Sequence, residues 1–299
     1  MKVYCFGEKE KPVIFLFPGT CCHWKGNFGK VIEPLEEYFR VACVSYDGFD
    51  ETEQTEFPTM TEETEKIEQY IKKEFGGHIC AAYGCSLGGS FVGLLAARGN
   101  IHMEYGILGG SDLDQSGKFL AKLMTKLMMP VFYPFIANGE MKIPFMKKKM
   151  DKMLAEDNGY IRAFMDMIKT PDVDMSHITK RSVENQFYSD LITPLPDQID
   201  PSGTQIHILY ALKMGEKYRA RYKKHFAGPI LHELDLQHEE LLAVYPDDWV
   251  KVMRSVTENR VIVRQDLKLR EADEVGKVES SEKTRRESEK ESQFFFLFF

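Results

Sequence analysis

No apolar run in this chain approaches the roughly 18 residues that a membrane-spanning helix needs, so no span is expected. Basic residues are in deficit: 39 Lys and Arg stand against 46 Asp and Glu, for a net charge of −7. A nucleic-acid partner calls for a basic face, and nothing in that balance provides one. The N-terminal stretch MKVYCFGEKEKPVIFLFPG places its charges wrongly for a secretory signal. Cysteine is missing beyond position 85. The six that exist (Cys5, Cys21, Cys22, Cys43, Cys80 and Cys85) mostly lie in or beside apolar runs, where a free thiol behaves as a small hydrophobe. A reduced, cytoplasmic setting is the simplest expectation. Cys21, Cys22 and His23 adjoin, but adjacent ligands do not match zinc spacings, so no metal is expected. A phosphate-cradling glycine fingerprint is also missing, and no cofactor is expected.

What is present is a succession of short apolar runs: residues 2–6, 12–19, 40–48, 78–84, 103–110, 206–212 and 229–236. They are nearly continuously apolar rather than alternating, which marks strands covered on both faces. Helix-like stretches separate them. In 59–75, Ile67, Tyr70, Ile71 and Phe75 recur at helical spacing, and Thr61 followed by Glu62 and Glu63 reads as a helix start. Strand–helix alternation implies right-handed crossovers and a doubly wound, mostly parallel α/β core.

The alternation stops between 114 and 202. The patterns there are helical, and ten of the chain's fifteen methionines fall in that stretch. Methionine fills irregular gaps, so the stretch reads either as packing or as an adaptable lid over an apolar pocket. The expected division is a core of 1–113 and 203–258, a helical insertion at 114–202 and a charged tail at 259–299. Between Arg264 and Gln293, 17 of 30 residues are charged, too polar a segment to bury a core, and it reads as disordered. The closing FFFLFF is too short to cross a bilayer. It reads as an extension without a role rather than as an anchor.

One motif carries chemistry. Gly84-Cys85-Ser86-Leu87-Gly88 fits G-x-S-x-G and lies between a predicted strand and a predicted helix. At such a corner the serine adopts a strained backbone, and small residues two positions to either side avoid clashes with the turn. The start of the helix beyond Ser86 favours negative charge there. A histidine acting as base must then be found. His238 follows the last predicted strand and opens a helix. His207 and His232 lie inside strands, and His23 and His102 precede the expected place in the chain. Asp47 and Asp50, in SYDGFDE, read as turn formers.

These pieces resemble the α/β-hydrolase superfamily. The likeness spans roughly 1–258 and rests on FPGT (17–20), SYDGFDE (45–51), GCSLGG (84–89) and LQHEELL (236–242). It implies a doubly wound sheet with a helical cap inserted at 114–202. It also implies a Ser–acid–His triad of Ser86 and His238 with an acid, and an oxyanion hole made by the backbone amides of Thr20 and Leu87. At the acid the chain departs from the superfamily. Many members read Gly-x-x-Asp after the strand preceding the last, whereas this chain reads Gly215-Glu216-Lys217-Tyr218. Glu216 in the same turn, or Asp112 after the strand at 103–110, could take the role, and the sequence leans narrowly to Glu216. A third reading has no acid and weak activity.

The resemblance implies a serine hydrolase acting on a carboxylic ester or thioester with an apolar group, through an acyl-enzyme. A serine in the nucleophile's place excludes the branches that use an aspartate there. The other class is a non-catalytic small-molecule binder of the same fold, which the missing aspartate alone favours. The expected partner is a small molecule.

Overall fold

The computed structural model describes residues 1–258 except 114, 140, 142, 156–158 and 171–172. The charged tail and its FFFLFF end, from 259 onward, lie outside the described residues. The chain runs β1 (Lys2–Phe6), β2 (Val13–Phe17), α1 (Trp24–Glu36), β3 (Arg40–Ser45), α2 (Met60–Phe75), β4 (His78–Gly84), α3 (Gly88–Arg98) and β5 (His102–Leu108). Four helices follow before the sheet resumes: α4 (Lys118–Asn138), α5 (Pro144–Ala155), α6 (Gly159–Lys169) and α7 (Lys180–Ile192). The remainder is β6 (Gln205–Ala211), α8 (Glu216–His225), β7 (Ile230–Leu234), α9 (Glu240–Val244) and α10 (Pro246–Thr257).

All seven apolar runs are strands of one sheet, ordered β1-β3-β2-β4-β5-β6-β7. Only β1 is antiparallel, pairing Lys2 with Ser45 through Phe6 with Val41. The interior strands are covered on both faces: Ile14, Phe15, Leu16 and Phe17 of β2 are all 0% exposed, which is why the run shows no polar alternation. The order doubles back from β3 to β2 and onward through β4, so the chain reverses direction of winding beside β2 and β4. Ligands of open parallel sheets sit at the carboxyl ends of strands at such a point, and β2 and β4 lead into the FPGT and GCSLGG segments.

Two local features differ from the sequence expectation. Helix α2 is capped by Thr59, not Thr61: the Thr59 hydroxyl accepts from the Glu62 amide and donates to the Glu62 carboxylate. Helix α4 runs through Pro130 and Pro134 to Asn138, although an interior proline ordinarily breaks or kinks a helix. Burial of Met129, Phe132, Phe135 and Ile136 offsets the two missing backbone donors. The result is a helix of 21 residues, long and apolar enough by length and composition to cross a membrane, which inspection of apolar runs does not reveal because Lys118, Lys122 and Lys126 interrupt it. Its C-terminal half packs inside the protein, with Phe132 6.3 Å from Phe187 of α7.

Asp47 and Asp50 are turn residues, as expected, but buried ones. Phe49 N–H donates to the Tyr46 carbonyl, and Asp50 accepts from the Thr52 amide and from the Tyr4 hydroxyl. Asp47 pairs with Lys66, and its amide donates to the buried Glu63 carboxylate at 2.8 Å. Burial, then the Asp47 charge, pushes the Glu63 carboxyl up from 4.5 to about 7. A raised carboxyl favours the protonated fold. Its contribution is complete below about pH 4.5 and is lost as pH rises through about 7. Glu63→Gln keeps the acceptor for Asp47 and removes the charge. Urea unfolding at pH 5 and pH 8 is expected to show the variant gaining roughly 1–3 kcal/mol on wild type between the two. A constant difference between the two pH values would contradict this account.

Candidate active site

Ser86 sits between β4 and α3 with φ +48°, in the left-handed region. A non-glycine residue held there costs about 1–2 kcal/mol. The flanking glycines are sterically required: a β-carbon on Gly84 would lie 2.2 Å from the Gly88 carbonyl carbon, and one on Gly88 would lie 2.2 Å from the Phe17 carbonyl oxygen. The serine's peptide groups are held on both sides. Its carbonyl accepts from the Ser111 hydroxyl at 2.6 Å and from the Gly89 amide at 2.9 Å. Its amide donates to a Glu239 carboxylate oxygen at 2.8 Å.

Glu239 is the residue that sequence reasoning missed. It is 5% exposed, has φ +51°, and its carboxylate accepts three hydrogen bonds. One oxygen takes the amides of Ser86 and Gly110, and the other takes the Tyr83 hydroxyl at 2.7 Å. The carboxylate therefore ties the ends of β4 and β5 to the loop that carries His238. An acid beside a candidate base at a helix start looks like an ordinary dipole partner in sequence, so no signal marked it.

His238 is 4% exposed. Its ring lies against Gly110, where a β-carbon would fall 2.4 Å from Nδ1. Because Gly110 and Ser86 share one Glu239 oxygen, the ring lies at the same corner as the serine's backbone. Helix α6 closes over them. The Phe164 ring stands edge-on to the imidazole with centroids 5.8 Å apart, and the Tyr160 hydroxyl donates to the His238 carbonyl at 2.9 Å. Burial lowers the imidazole pKa below 6.5, against opposing effects of the Glu239 charge and of hydrogen bonding to the Gly110 main chain. Burial thus favours the neutral imidazole, the form a base requires.

The loop after β2 is held amide by amide. Gly19 N–H donates to the Asn27 side-chain carbonyl at 2.8 Å, Cys21 N–H to the Gln186 side-chain carbonyl at 2.6 Å, and Cys22 N–H to the Gly19 carbonyl at 3.2 Å. The Thr20 amide between them donates to nothing among the described residues, and neither does the Leu87 amide at the start of α3. A β-carbon on Gly19 would lie 3.5 Å from that of Ser86, so this loop borders the serine. Gln186 comes from α7, so the helical segment between β5 and β6 helps hold the loop.

The two candidate acids are placed differently. The Glu216 side chain opens α8, is 76% exposed and pairs with Arg219 at 3.5 Å. It is a solvated surface group and is not brought to the buried His238, against the narrow lean of the sequence. Asp112 is half-buried and follows Gly110 by two residues, with its carbonyl accepting from Arg221 at 3.0 Å. Cys21, Cys22 and His23 do not converge as ligands. His23 caps α1 by accepting from the Lys25 amide and pairs with Glu51 at 2.8 Å, while burial pushes the Cys22 thiol up to about 12. His207 and His232 contact each other at 2.9 Å, away from the serine on β6 and β7.

No protein-family model and no curated protein matches the chain. Solved structures do. An α/β-hydrolase family protein from Desulfitobacterium hafniense superposes with TM-score 0.68 at 19% identity, covering 85% of this chain and 99% of the other. MenH from S. aureus superposes with TM-score 0.63 at 13% identity, covering 86% and 98%. An enol-lactonase from Burkholderia xenovorans LB400 gives 0.61 at 17%, covering 85% and 95%. At such identities the likeness is one of architecture, and with the sheet order and the serine corner it gives the conclusion that this chain has the fold of the α/β-hydrolase superfamily.

Proposed function

We propose that the chain is a serine hydrolase that cleaves a carboxylic ester or thioester with an apolar group through an acyl-enzyme. The observation that carries this reading is Ser86 in left-handed backbone at the corner where the buried His238 lies, with the amides of Thr20 and Leu87 left without other partners among the described residues. Ser86 Oγ attacks the carbonyl carbon while His238 takes its proton. The developing oxyanion receives the Thr20 and Leu87 N–H groups, which have no competing acceptor among the described residues. Collapse expels the alkoxide or thiolate, which takes the proton back from His238. A water, deprotonated by the same base, then releases the acid and regenerates Ser86.

Asp112 is the acid in this reading, because it lies two residues beyond the Gly110 on which the imidazole rests, whereas Glu216 faces solvent. Helices α4–α7 are the cap, and α6 supplies the apolar wall at Phe164. The specific support for a non-catalytic binder is Tyr218 where the superfamily's aspartate is expected.

The test is hydrolysis of p-nitrophenyl esters of increasing chain length, with fluorophosphonate labelling. Ser86→Ala is expected to lose about 10⁴-fold or more in kcat/KM and all labelling. Asp112→Asn is expected to lose on the order of 10²–10⁴-fold. Glu216→Gln, whose exposed pair contributes little, should stay within about twofold. Wild type that neither turns over nor labels would make the binder the correct reading.

The pH dependence follows from burial of His238. The acid limb of kcat/KM should fall below pH 6.5, since the folded imidazole resists protonation. Removing the Glu239 charge removes an effect that raises this pKa, so Glu239→Gln is expected to move the limb to still lower pH. Glu239→Ala leaves two amides and a tyrosine hydroxyl without their acceptor. It is expected to cost on the order of 3–5 kcal/mol in urea unfolding. An unchanged acid limb in Glu239→Gln would sever the assigned link between this carboxylate and the base.

A further inference from the structure

Helix α4 presents an outer face with four large apolar side chains exposed to solvent. Phe119 is 85% exposed, Leu120 50%, Leu123 44% and Leu127 67%. Phe119, Leu123 and Leu127 recur every four residues and form one row along the helix; Leu120 lies beside it. Lys118, Lys122 and Lys126 recur with the same spacing, one position earlier, and form the adjoining row; all three are exposed. The opposite face is buried through Ala121, Thr125 and Met129. Helix α4 contains no acidic residue. Residues 118–152 carry eight lysines and two acids, within a chain of net charge −7. The row of Lys118, Lys122 and Lys126 therefore sets basic charge beside the apolar row, against the trend of the whole chain.

We propose that this face docks on an anionic lipid bilayer. A solvent-facing row of Phe and Leu flanked by a row of lysines is the composition of a helix lying in the interfacial plane. There the apolar side chains enter the acyl boundary to about 5–10 Å and the lysines meet lipid phosphates. The lysine stems reach along the apolar row while their ammonium groups stay at the headgroups. The helix lies on the bilayer and does not span it, because its C-terminal half is packed against α7 through Phe132. A second copy of the chain would have to bring matching acidic charge to the lysine row, and the anionic bilayer supplies that charge over its whole surface. The inference does not depend on turnover at Ser86.

The test is co-sedimentation of the full chain with vesicles of phosphatidylcholine alone or with about 30% phosphatidylglycerol, at about 0.15 M salt. Wild type and Ser86→Ala are both expected to sediment with the anionic vesicles and at least about tenfold less with the neutral ones. Leu123→Ser/Leu127→Ser and Lys118→Glu/Lys122→Glu/Lys126→Glu should each lose about tenfold or more of that binding. Thermal melts should stay near wild type, because these side chains face solvent. Equal binding to both vesicles, or binding unaffected by the lysine reversals, overturns the proposal. So does absence of vesicle binding together with a dimer that Leu123→Ser/Leu127→Ser dissociates, which would make the face a contact between copies.

Discussion

A single carboxylate, that of Glu239, holds the corner on which the rest of the site depends. The left-handed backbone at Ser86 costs about 1–2 kcal/mol, and a strained residue persists only where its surroundings determine it. Glu239 fixes the serine's amide, while Ser111 and Gly89 fix its carbonyl. The same carboxylate oxygen takes the Gly110 amide, so the end of β5 is tied to the end of β4. Its other oxygen takes Tyr83, itself wedged edge-on against Trp249 of α10. Helix α10 therefore steadies the serine through one aromatic contact and one hydrogen bond. A carboxylate buried to this degree is stable only with its acceptor positions filled. The three donors come from β4, from the elbow and from the loop after β5, so the loop cannot shift without exposing a charge to an apolar interior.

How much of this could be read from the residues depends on whether a feature is local. The strands were legible because burial on both faces writes a continuous apolar run, as in Ile14–Phe17. Their order was not, since pairing of β1 with β3 in antiparallel register leaves no mark in either segment. The serine corner was legible because its steric need is met within five residues, from Gly84 to Gly88. Thr20 and Leu87 came only from the resemblance. A free backbone amide leaves no mark in residue type, and what the fold adds is that the neighbouring amides are already engaged. The exposure of Glu216 could not be read because a turn residue's exposure is set by tertiary packing: its side chain lies 76% exposed beside Arg219. Glu239 was invisible for the converse reason. Its partners at positions 83, 86 and 110 are more than a hundred residues away in the chain.

The segment between β5 and β6 has two different surfaces, which accounts for its odd composition. On the inside, Phe164 and Tyr160 of α6 enclose His238, and Gln186 of α7 holds the Cys21 amide. Desolvation of the imidazole therefore originates partly in this segment, and so does the order of the loop carrying Thr20. Burial of His238 and anchoring of the Cys21 amide are both provided in part by helices that lie outside the sheet. On the outside, α4 exposes Phe119 and Leu127 instead of burying them. Methionine suits the space between these surfaces, since an unbranched thioether adapts to irregular contacts: Met129, Met165, Met167 and Met175 are all buried there. A branched core would fix one spacing between α4, α6 and α7. Here methionines fill the gaps left among branched and aromatic neighbours such as Ile136, Ile168 and Phe132, so the outer helix and the inner contacts to His238 and Cys21 are joined by an interior of mixed stiffness.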